Sequence, residues 1–114
     1  MIVIYQKPTC TTCRAVHAAL KASGVDFDTV DYYTDRIPRK KLVELLRKLG
    51  MAPRELLRTR EDIYRKLKLG ERELSDGEII DLMVEHPDLI QRPIVEKGGK
   101  AILARPADRL REVL

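Results

Sequence analysis

The residues best suited to chemistry in this chain form the Cys-x-x-Cys motif of residues 10–13, which holds its only two cysteines. A cysteine at a helix N-terminus faces unpaired backbone N–H groups and the positive end of the helix dipole, and both favour the thiolate. Lys7 and Arg14 would add to this effect if their side chains turn inward. Cys13 lies one helical turn further on and can reach back to form a disulfide. The spacing therefore predicts an exposed nucleophile at Cys10 and a buried resolving thiol at Cys13.

Other uses of two cysteines at this spacing are weaker. The two could be inert core residues, but Cys10 follows Pro8 and Thr9 in a polar loop. A structural disulfide is uncommon in a cytosolic protein. Zinc could use both cysteines and His17, but a closed structural site needs four ligands, and only His86, 69 residues beyond His17, could supply the fourth. Redox chemistry without a metal is the favoured interpretation.

The elements around the motif predict a β-α-β unit. Residues 2–5 are a short apolar run that indicates a buried strand, and the threonine hydroxyls between Thr9 and Thr12 are the expected N-cap of the next helix. Gly24 is the expected end of that helix. Residues 25–33 alternate apolar and acidic side chains, which predicts a second strand. A crossover of this length suits parallel pairing of the two strands, with a right-handed connection.

The middle of the chain predicts helices. Pro38 occupies an expected first helical position, leucines follow at helical spacing, and Gly50 ends the helix. Short helical pieces are expected at residues 54–57 and 61–67. Ser75, with Glu78 three residues later, forms a capping box that opens a further helix ending before Pro87.

The last quarter of the chain predicts a hairpin and a final helix. Residues 93–95 and 101–103 flank a Gly-Gly turn, and Pro106 opens the helix. The whole order, β-α-β, helices, then β-β-α, with Cys-x-x-Cys at the first strand–helix junction, resembles the thioredoxin-type arrangement. The predicted fold class is therefore α/β, a thioredoxin-like fold with a helical insertion at about residues 36–90. No linker separates two folding units, so residues 1–114 are expected to form one domain.

Length and composition exclude several classes of protein. The longest apolar run, residues 1–5, is far shorter than the roughly 20 residues of a membrane span. No signal peptide is visible, and no tract repeats. These observations predict a cytoplasmic protein with no membrane partner and no bound cofactor.

The net charge of +4 is unevenly spread along the chain. Residues 36–72 hold 13 basic side chains against five acidic ones, and so carry +8, while the remainder carries −4. Such a segment could bind an oxyanion, nucleic acid or an acidic protein surface. Because its charges alternate with leucines at helical spacing, most of them are expected on exposed helix faces. The four tyrosines form no stacking ladder, so direct nucleic-acid binding is not expected.

Four motifs, in order along nearly the whole chain, resemble the arsenate reductase (ArsC) family, which includes its relative Spx. The matching segments are Tyr5-Gln6-Lys7-Pro8-Thr9-Cys10, Glu55-Leu56-Leu57-Arg58, Glu85-His86-Pro87 followed by residues 89–95, and Arg105-Pro106. The resemblance implies that Cys10 is the nucleophile and that Arg58, Arg92 and Arg105 bind the oxyanion. Three planar guanidiniums suit a tetrahedral dianion. The resemblance also implies a cis proline at Pro93, facing the active cysteine. The Arg92–Pro93 bond is an X–Pro bond, which can be cis at modest cost.

The chain departs from the glutathione-coupled members of the family at two positions. Cys13 stands where those enzymes usually carry serine, and Gln6 stands where they carry a histidine. Activation of the Cys10 thiolate is therefore expected from the helix terminus and nearby cations. The implied reaction has Cys10 attack arsenate and Cys13 or glutathione resolve the adduct. The expected electron donors are glutathione with glutaredoxin, or thioredoxin.

Two alternatives stay open at this point. The Cys-x-x-Cys motif resembles that of Spx, a redox-switched transcriptional regulator that binds RNA polymerase, and Arg60 falls where Spx has an arginine that supports its switch. Spx, however, lacks the arginine matching Arg105 and carries a C-terminal extension. The other alternative is a general thiol–disulfide oxidoreductase, which would need no set of oxyanion-binding arginines.

Overall fold

The computed structural model describes all 114 residues and divides the chain into two compact units. The sheet unit comprises residues 1–35 and 92–114, and the helical unit comprises residues 36–91. The helical segment thus falls between the two halves of the sheet unit, close to the predicted insertion at 36–90. That both units fold as one domain stays a prediction.

The sheet unit contains four strands in the order β2-β1-β3-β4. Strand β1 (Ile2–Gln6) pairs in parallel with β2 (Phe27–Asp31) and antiparallel with β3 (Ile94–Lys97), which forms a hairpin with β4 (Lys100–Leu103). The predicted parallel pairing and hairpin are confirmed. Strand β2 is shorter than the predicted 25–33, because the chain turns after Asp31, whose carbonyl accepts hydrogen bonds from the backbone N–H groups of Thr34 and Asp35.

Helix α1 (Thr11–Ser23) connects β1 to β2 and buries Cys13, Val16 and Leu20, the face expected from their spacing. It ends at Gly24, which has the left-handed backbone (φ 76°) that favours glycine. One face of the sheet shares a core with α1 and the C-terminal segment, formed by apolar side chains: Ile2, Ile4, Val16, Leu20, Val95, Ile102, Ala104, Leu110 and Val113. The predicted last helix is a 3-10 helix, Ala107–Glu112.

The helical unit contains α2 (Arg39–Leu49), α3 (Pro53–Leu56), α4 (Asp62–Lys66) and α5 (Asp76–Glu85), with short 3-10 helices at Leu69–Glu71 and Pro87–Leu89. The predicted capping box is confirmed, because the Ser75 hydroxyl accepts from the Glu78 N–H at 3.2 Å and the Glu78 carboxylate accepts from the Ser75 N–H. Pro38 is the N-cap of α2, one residue before the predicted place. No helix has the length and apolar character needed to cross a membrane.

Candidate active site

The site residues of the sheet unit come from one end of its sheet. The register pairs Tyr5 near the end of β1 with Val30 near the end of β2, and with Ile94 at the start of β3, which itself faces Leu103 at the end of β4. Four chain segments therefore leave or enter the sheet at the same edge. These segments carry Cys10, the tyrosines after β2, Arg92 and Arg105.

Cys10 is the N-cap of α1. Its backbone N–H donates to the Lys7 carbonyl at 3.0 Å, and its extended backbone (φ −79°, ψ 124°) places its sulfur where the Cys13 N–H donates to it at 3.3 Å. The prediction that a threonine hydroxyl caps this helix is therefore wrong. Thr11 already lies inside the first turn, and the turn closed by Lys7 leaves the cap position to Cys10.

The two thiols have opposite acidities. Cys10 is half-buried, and burial alone would raise its pKa, but hydrogen bonds from Cys13 and the guanidinium of Arg92 outweigh burial and lower the pKa below its ordinary value. Cys13 is fully buried, and burial together with the neighbouring Cys10 raises its pKa to about 12. Both thiols are free of a disulfide. Cys10 is therefore the thiol of this pair that ionises more readily.

Arg92 is a buried cation at the start of β3, with 6% of its surface exposed. Its Nη1 donates to the Tyr33 hydroxyl at 3.3 Å, and its guanidinium lies 5.9 Å from the Tyr33 ring centre. Burial would lower its pKa, but the nearby Tyr32, Tyr33 and Cys10 raise it above the ordinary value. Arg92 therefore stays charged beside the Cys10 sulfur. The predicted cis bond between Arg92 and Pro93 is confirmed.

Arg105 follows β4 and lies next to Arg92. Its Nη1 donates to the Arg92 backbone carbonyl at 3.3 Å, and the residue is exposed. The bond from Arg105 to Pro106 is also cis, a feature that was not predicted from the sequence. Two of the three arginines named from the family resemblance are thus neighbours in the sheet unit.

Arg58 belongs to the helical unit. Its backbone N–H donates to the Leu89 carbonyl at 2.7 Å, beside an isolated bridge between Leu57 and Ile90. Its Nε forms an ion pair of 2.9 Å with Glu61, and its side chain is 22% exposed. Arg60, two residues later, is exposed in a bend. The Arg58 backbone is thus hydrogen-bonded to the segment at residues 89–90 of the same unit.

The supporting cations take different positions. Lys7 places its Nζ 4.6 Å from the centre of the Tyr33 ring, a cation–π contact, whereas Arg14 is exposed on α1. Neither histidine joins the cysteines in a metal site. His17 packs edge-on against Phe27, with ring centres 5.2 Å apart, and His86 ends α5. No group of three or more His, Cys, Asp and Glu side chains is placed to hold a metal ion.

Tyr32 and Tyr33 also lie at the candidate site, although neither was predicted there from the sequence. A signal for them existed, because the carboxyl ends of two parallel strands meet at the same edge of a sheet. Residues just after β2 must therefore lie near the loop after β1. The Tyr32 N–H donates to the Gln6 carbonyl at 3.3 Å, which shows this juxtaposition directly.

Comparisons with known proteins cover almost the whole chain. The model of the ArsC family matches residues 5–113. The chain is 38% identical over 114 residues to the uncharacterized protein YfgD of Escherichia coli K12, and the matched region covers 99% of this chain and 96% of that protein. It is 35% identical over 113 residues to an arsenate reductase of the same organism, over 99% and 80% of the two chains. The solved structure of an arsenate reductase from Vibrio cholerae superposes with a TM-score of 0.94 at 35% identity, over 99% and 97% of the chains.

Proposed function

Because the chain belongs to the ArsC family, whose structures have a thioredoxin-like fold, we propose that it is a thiol-dependent arsenate reductase with Cys10 as its nucleophile. The observation that supports this proposal best is the contact between a half-buried, acidic thiol and a buried guanidinium. Cys10 has a lowered pKa, and Arg92 is among the groups that lower it. A nucleophilic sulfur and a cation for its anionic substrate therefore meet at one place.

The reaction needs two thiols and transfers two electrons. The Cys10 thiolate attacks arsenic(V), an As–S bond forms, and one arsenate oxygen leaves as water after protonation. A second thiolate then attacks the Cys10 sulfur, an S–S bond forms, and the As–S electron pair stays on arsenic. Arsenic leaves as arsenite, arsenic(III), and the two sulfurs leave as a disulfide.

Arg92 and Arg105 are proposed to bind the oxyanion, and Arg58 joins them on the strength of the family motif. Paired guanidinium donors match the oxygens of a tetrahedral anion and stabilise the charge that develops as the As–S bond breaks. Lys7, Arg14 and Pro93 are proposed as supporting residues, and Arg60 as one only in an Spx-like role.

Cys13 is the proposed resolving thiol, with glutathione as the alternative. In the reduced protein its raised pKa keeps it protonated. One cause of this shift is the neighbouring Cys10, whose negative charge disappears once its sulfur binds arsenic. Formation of the adduct therefore favours the deprotonation that Cys13 needs for attack. Glutaredoxin or thioredoxin would reduce the resulting disulfide, and a cytoplasmic location stays a prediction.

The test is arsenate turnover by the reduced protein, followed as NADPH oxidation through glutathione reductase, glutathione and glutaredoxin, or through thioredoxin reductase and thioredoxin. We expect turnover to vanish in Cys10→Ser and to fall strongly in Arg58→Ala and Arg105→Ala. Arg111→Ala is the matched control, because Arg111 is an exposed arginine of the C-terminal 3-10 helix. Turnover that persists in Cys10→Ser would refute the proposal. Loss in Cys13→Ser with thioredoxin, but not with glutathione, would identify Cys13 as the resolving thiol.

The paired thiols favour a second candidate function, a general thiol–disulfide oxidoreductase. One acidic, accessible thiol beside a buried partner suits disulfide exchange with protein or small thiols, and this chemistry needs no oxyanion. Reversible formation of a Cys10–Cys13 disulfide without any arsenate turnover would favour it. An Spx-like partnership with RNA polymerase is the third alternative, and a binding assay with the two proteins would test it.

A further inference from the structure

Tyr33 connects two cations of the candidate site. It follows β2, where its backbone N–H donates to the Asp31 carboxylate at 3.3 Å, and its ring packs against that of the fully buried Tyr32 with centres 5.2 Å apart. The Lys7 Nζ lies 4.6 Å from the centre of the Tyr33 ring, and the Tyr33 hydroxyl accepts a hydrogen bond from the Arg92 Nη1 at 3.3 Å. A single half-buried side chain therefore contacts both the loop before Cys10 and the residue before Pro93.

Arg92 needs such a contact to keep its guanidinium in one place. An arginine side chain has many rotamers, and fixing one of them has a large entropic cost unless several partners hold the head group. The Arg105 guanidinium binds the Arg92 backbone carbonyl and so positions the backbone at this point. The guanidinium itself is contacted by Tyr32 and Cys10, and it donates to the Tyr33 hydroxyl at 3.3 Å.

We propose that Tyr33 is a positioning residue, whose hydroxyl holds the Arg92 guanidinium beside the Cys10 sulfur. Tyr33 acts through Arg92 and needs no contact with the substrate. The inference rests on the proposed function only where turnover is concerned, because the effect on the thiol at Cys10 requires no arsenate.

The groups around Cys10 and Arg92 come from four segments of the sheet unit. Cys13 approaches Cys10 from α1, and Lys7 lies in the loop before it. Tyr32 and Tyr33 approach Arg92 from the end of β2, and Arg105 approaches it from the end of β4. Among these groups Arg92 is the cation that lowers the pKa of Cys10, so a change at Tyr33 reaches the sulfur through Arg92.

The experiment measures the rate of Cys10 alkylation by iodoacetamide between pH 5 and 9. Cys13 stays protonated over this range because its pKa is raised to about 12, so the rate reports Cys10, as mass spectrometry of the product confirms. Tyr33→Phe removes one oxygen atom and keeps the ring beneath Lys7. We expect alkylation at pH 6.5 to fall about three- to tenfold, with the midpoint of the profile moved to higher pH. Tyr64→Phe, in the helical unit, is the matched control and should leave the profile unchanged.

A double-mutant cycle tests the route of the effect. Arg92→Met should lower the rate further than Tyr33→Phe, and adding Tyr33→Phe to Arg92→Met should change nothing more. An unchanged profile in Tyr33→Phe would overturn the inference, and so would an undiminished effect of Tyr33→Phe in the Arg92→Met background. Relaxation of the Arg92 Nε–H group by NMR adds a measurement independent of the thiol. We expect a lower order parameter in Tyr33→Phe, and an unchanged one would also overturn the inference.

Arsenate turnover of the same proteins separates the two proposals. If the wild-type protein turns over no arsenate while Tyr33→Phe still shifts the alkylation profile, the proposed function fails and the role of Tyr33 stands. If turnover is present and the alkylation profile of Tyr33→Phe matches the wild type, the role of Tyr33 fails and the proposed function stands.

Discussion

The two units of this protein differ in whether they bury polar side chains. The sheet unit buries three of them, Gln6, Arg92 and Glu96, and Glu96 accepts a hydrogen bond of 2.7 Å from the Tyr5 hydroxyl. The helical unit buries only apolar side chains. Its charges lie on the surface in local ion pairs such as Lys48 with Glu44 and Arg65 with Asp62.

This difference sets apart Arg92, a buried cation beside the candidate nucleophile, from Arg58, the proposed site residue of the helical unit, which is only partly buried. Burial of a polar group lowers stability unless hydrogen bonds offset the lost hydration, so a folding unit without a reactive group has little use for it. The large positive charge of residues 36–72 is therefore a poorer guide to function than the single buried Arg92. Four predictions test this contrast.

The largest expected effect is on activity, from Arg92→Met. We expect kcat/KM for arsenate to fall about 10²–10³-fold, the usual consequence of removing a preorganised donor to a developing oxyanion. Thermal stability should not fall, because methionine fills the same buried volume without a charge to desolvate. Arg65→Met in the helical unit is the control and should leave kcat/KM within about twofold of the wild type. Equal losses of kcat/KM in Arg92→Met and Arg65→Met would contradict the contrast between the two units.

A core truncation in the helical unit should lower stability and leave the reactivity of Cys10 unchanged. Leu45 is fully buried on α2, and Leu45→Ala should lower the free energy of unfolding by about 2–5 kcal/mol through lost burial and the cavity left behind. Urea denaturation measures this loss. The pH profile of Cys10 alkylation at low temperature should match that of the wild type, since no group of the candidate thiol site changes. A shifted profile would show that the two units are not separable in this sense.

Alkaline pH should destabilise the sheet unit through Cys13. In the unfolded chain this thiol has a pKa of about 8.5, while burial and Cys10 raise it to about 12 in the fold. The stability this group contributes is fully present below pH ~8.5 and declines as pH rises toward 12, because the unfolded chain releases the proton first. We expect the contribution of Cys13 to be about 1 kcal/mol smaller at pH 9.5 than at pH 8, measured by urea denaturation under reducing conditions as the difference between the wild type and Cys13→Val. In Cys13→Val this alkaline decline should shrink, and a decline of equal size would contradict the assignment.

The smallest effects concern the two helix caps. Ser75→Ala removes the hydroxyl cap of α5 and should lower the free energy of unfolding by about 1 kcal/mol. Cys10→Ser replaces a sulfur acceptor by an oxygen that caps equally well, and should change stability by less than about 0.5 kcal/mol while abolishing turnover. A strongly destabilised Cys10→Ser would indicate that the thiol at this position is needed for folding as well as for chemistry.

Local signals made much of the fold predictable from the sequence. The glycines at positions 24 and 50 end helices with left-handed backbones, and the Ser75–Glu78 capping box opens α5, because each of these patterns satisfies its own backbone groups. The limits of β2 were not predictable in this way. Its alternating pattern continues past Asp31, but hydrogen bonds to the Asp31 carbonyl and carboxylate turn the chain there.

The candidate site was predictable only in part, for a related reason. The nucleophile and the resolving thiol follow from the spacing of two cysteines along a helix, which is a local property. The contact of Tyr33 with Arg92 joins residues 59 positions apart, and it depends on the order and register of the strands. The cap formed by Cys10 depends on a hydrogen bond from its own backbone to Lys7, which no composition rule anticipates.

The sulfur cap of α1 couples the state of the nucleophile to the first turn of the helix. The free thiolate of Cys10 accepts the Cys13 N–H, whereas a sulfur bonded to arsenic or to another sulfur carries no charge and is a weaker acceptor. The helix is therefore better capped when the Cys10 thiol is free than when its sulfur is covalently bonded. In the proposed reaction this cap would weaken when the arsenic adduct forms and would recover only when the disulfide is reduced, so amide exchange at Cys13 would report the state of the Cys10 sulfur.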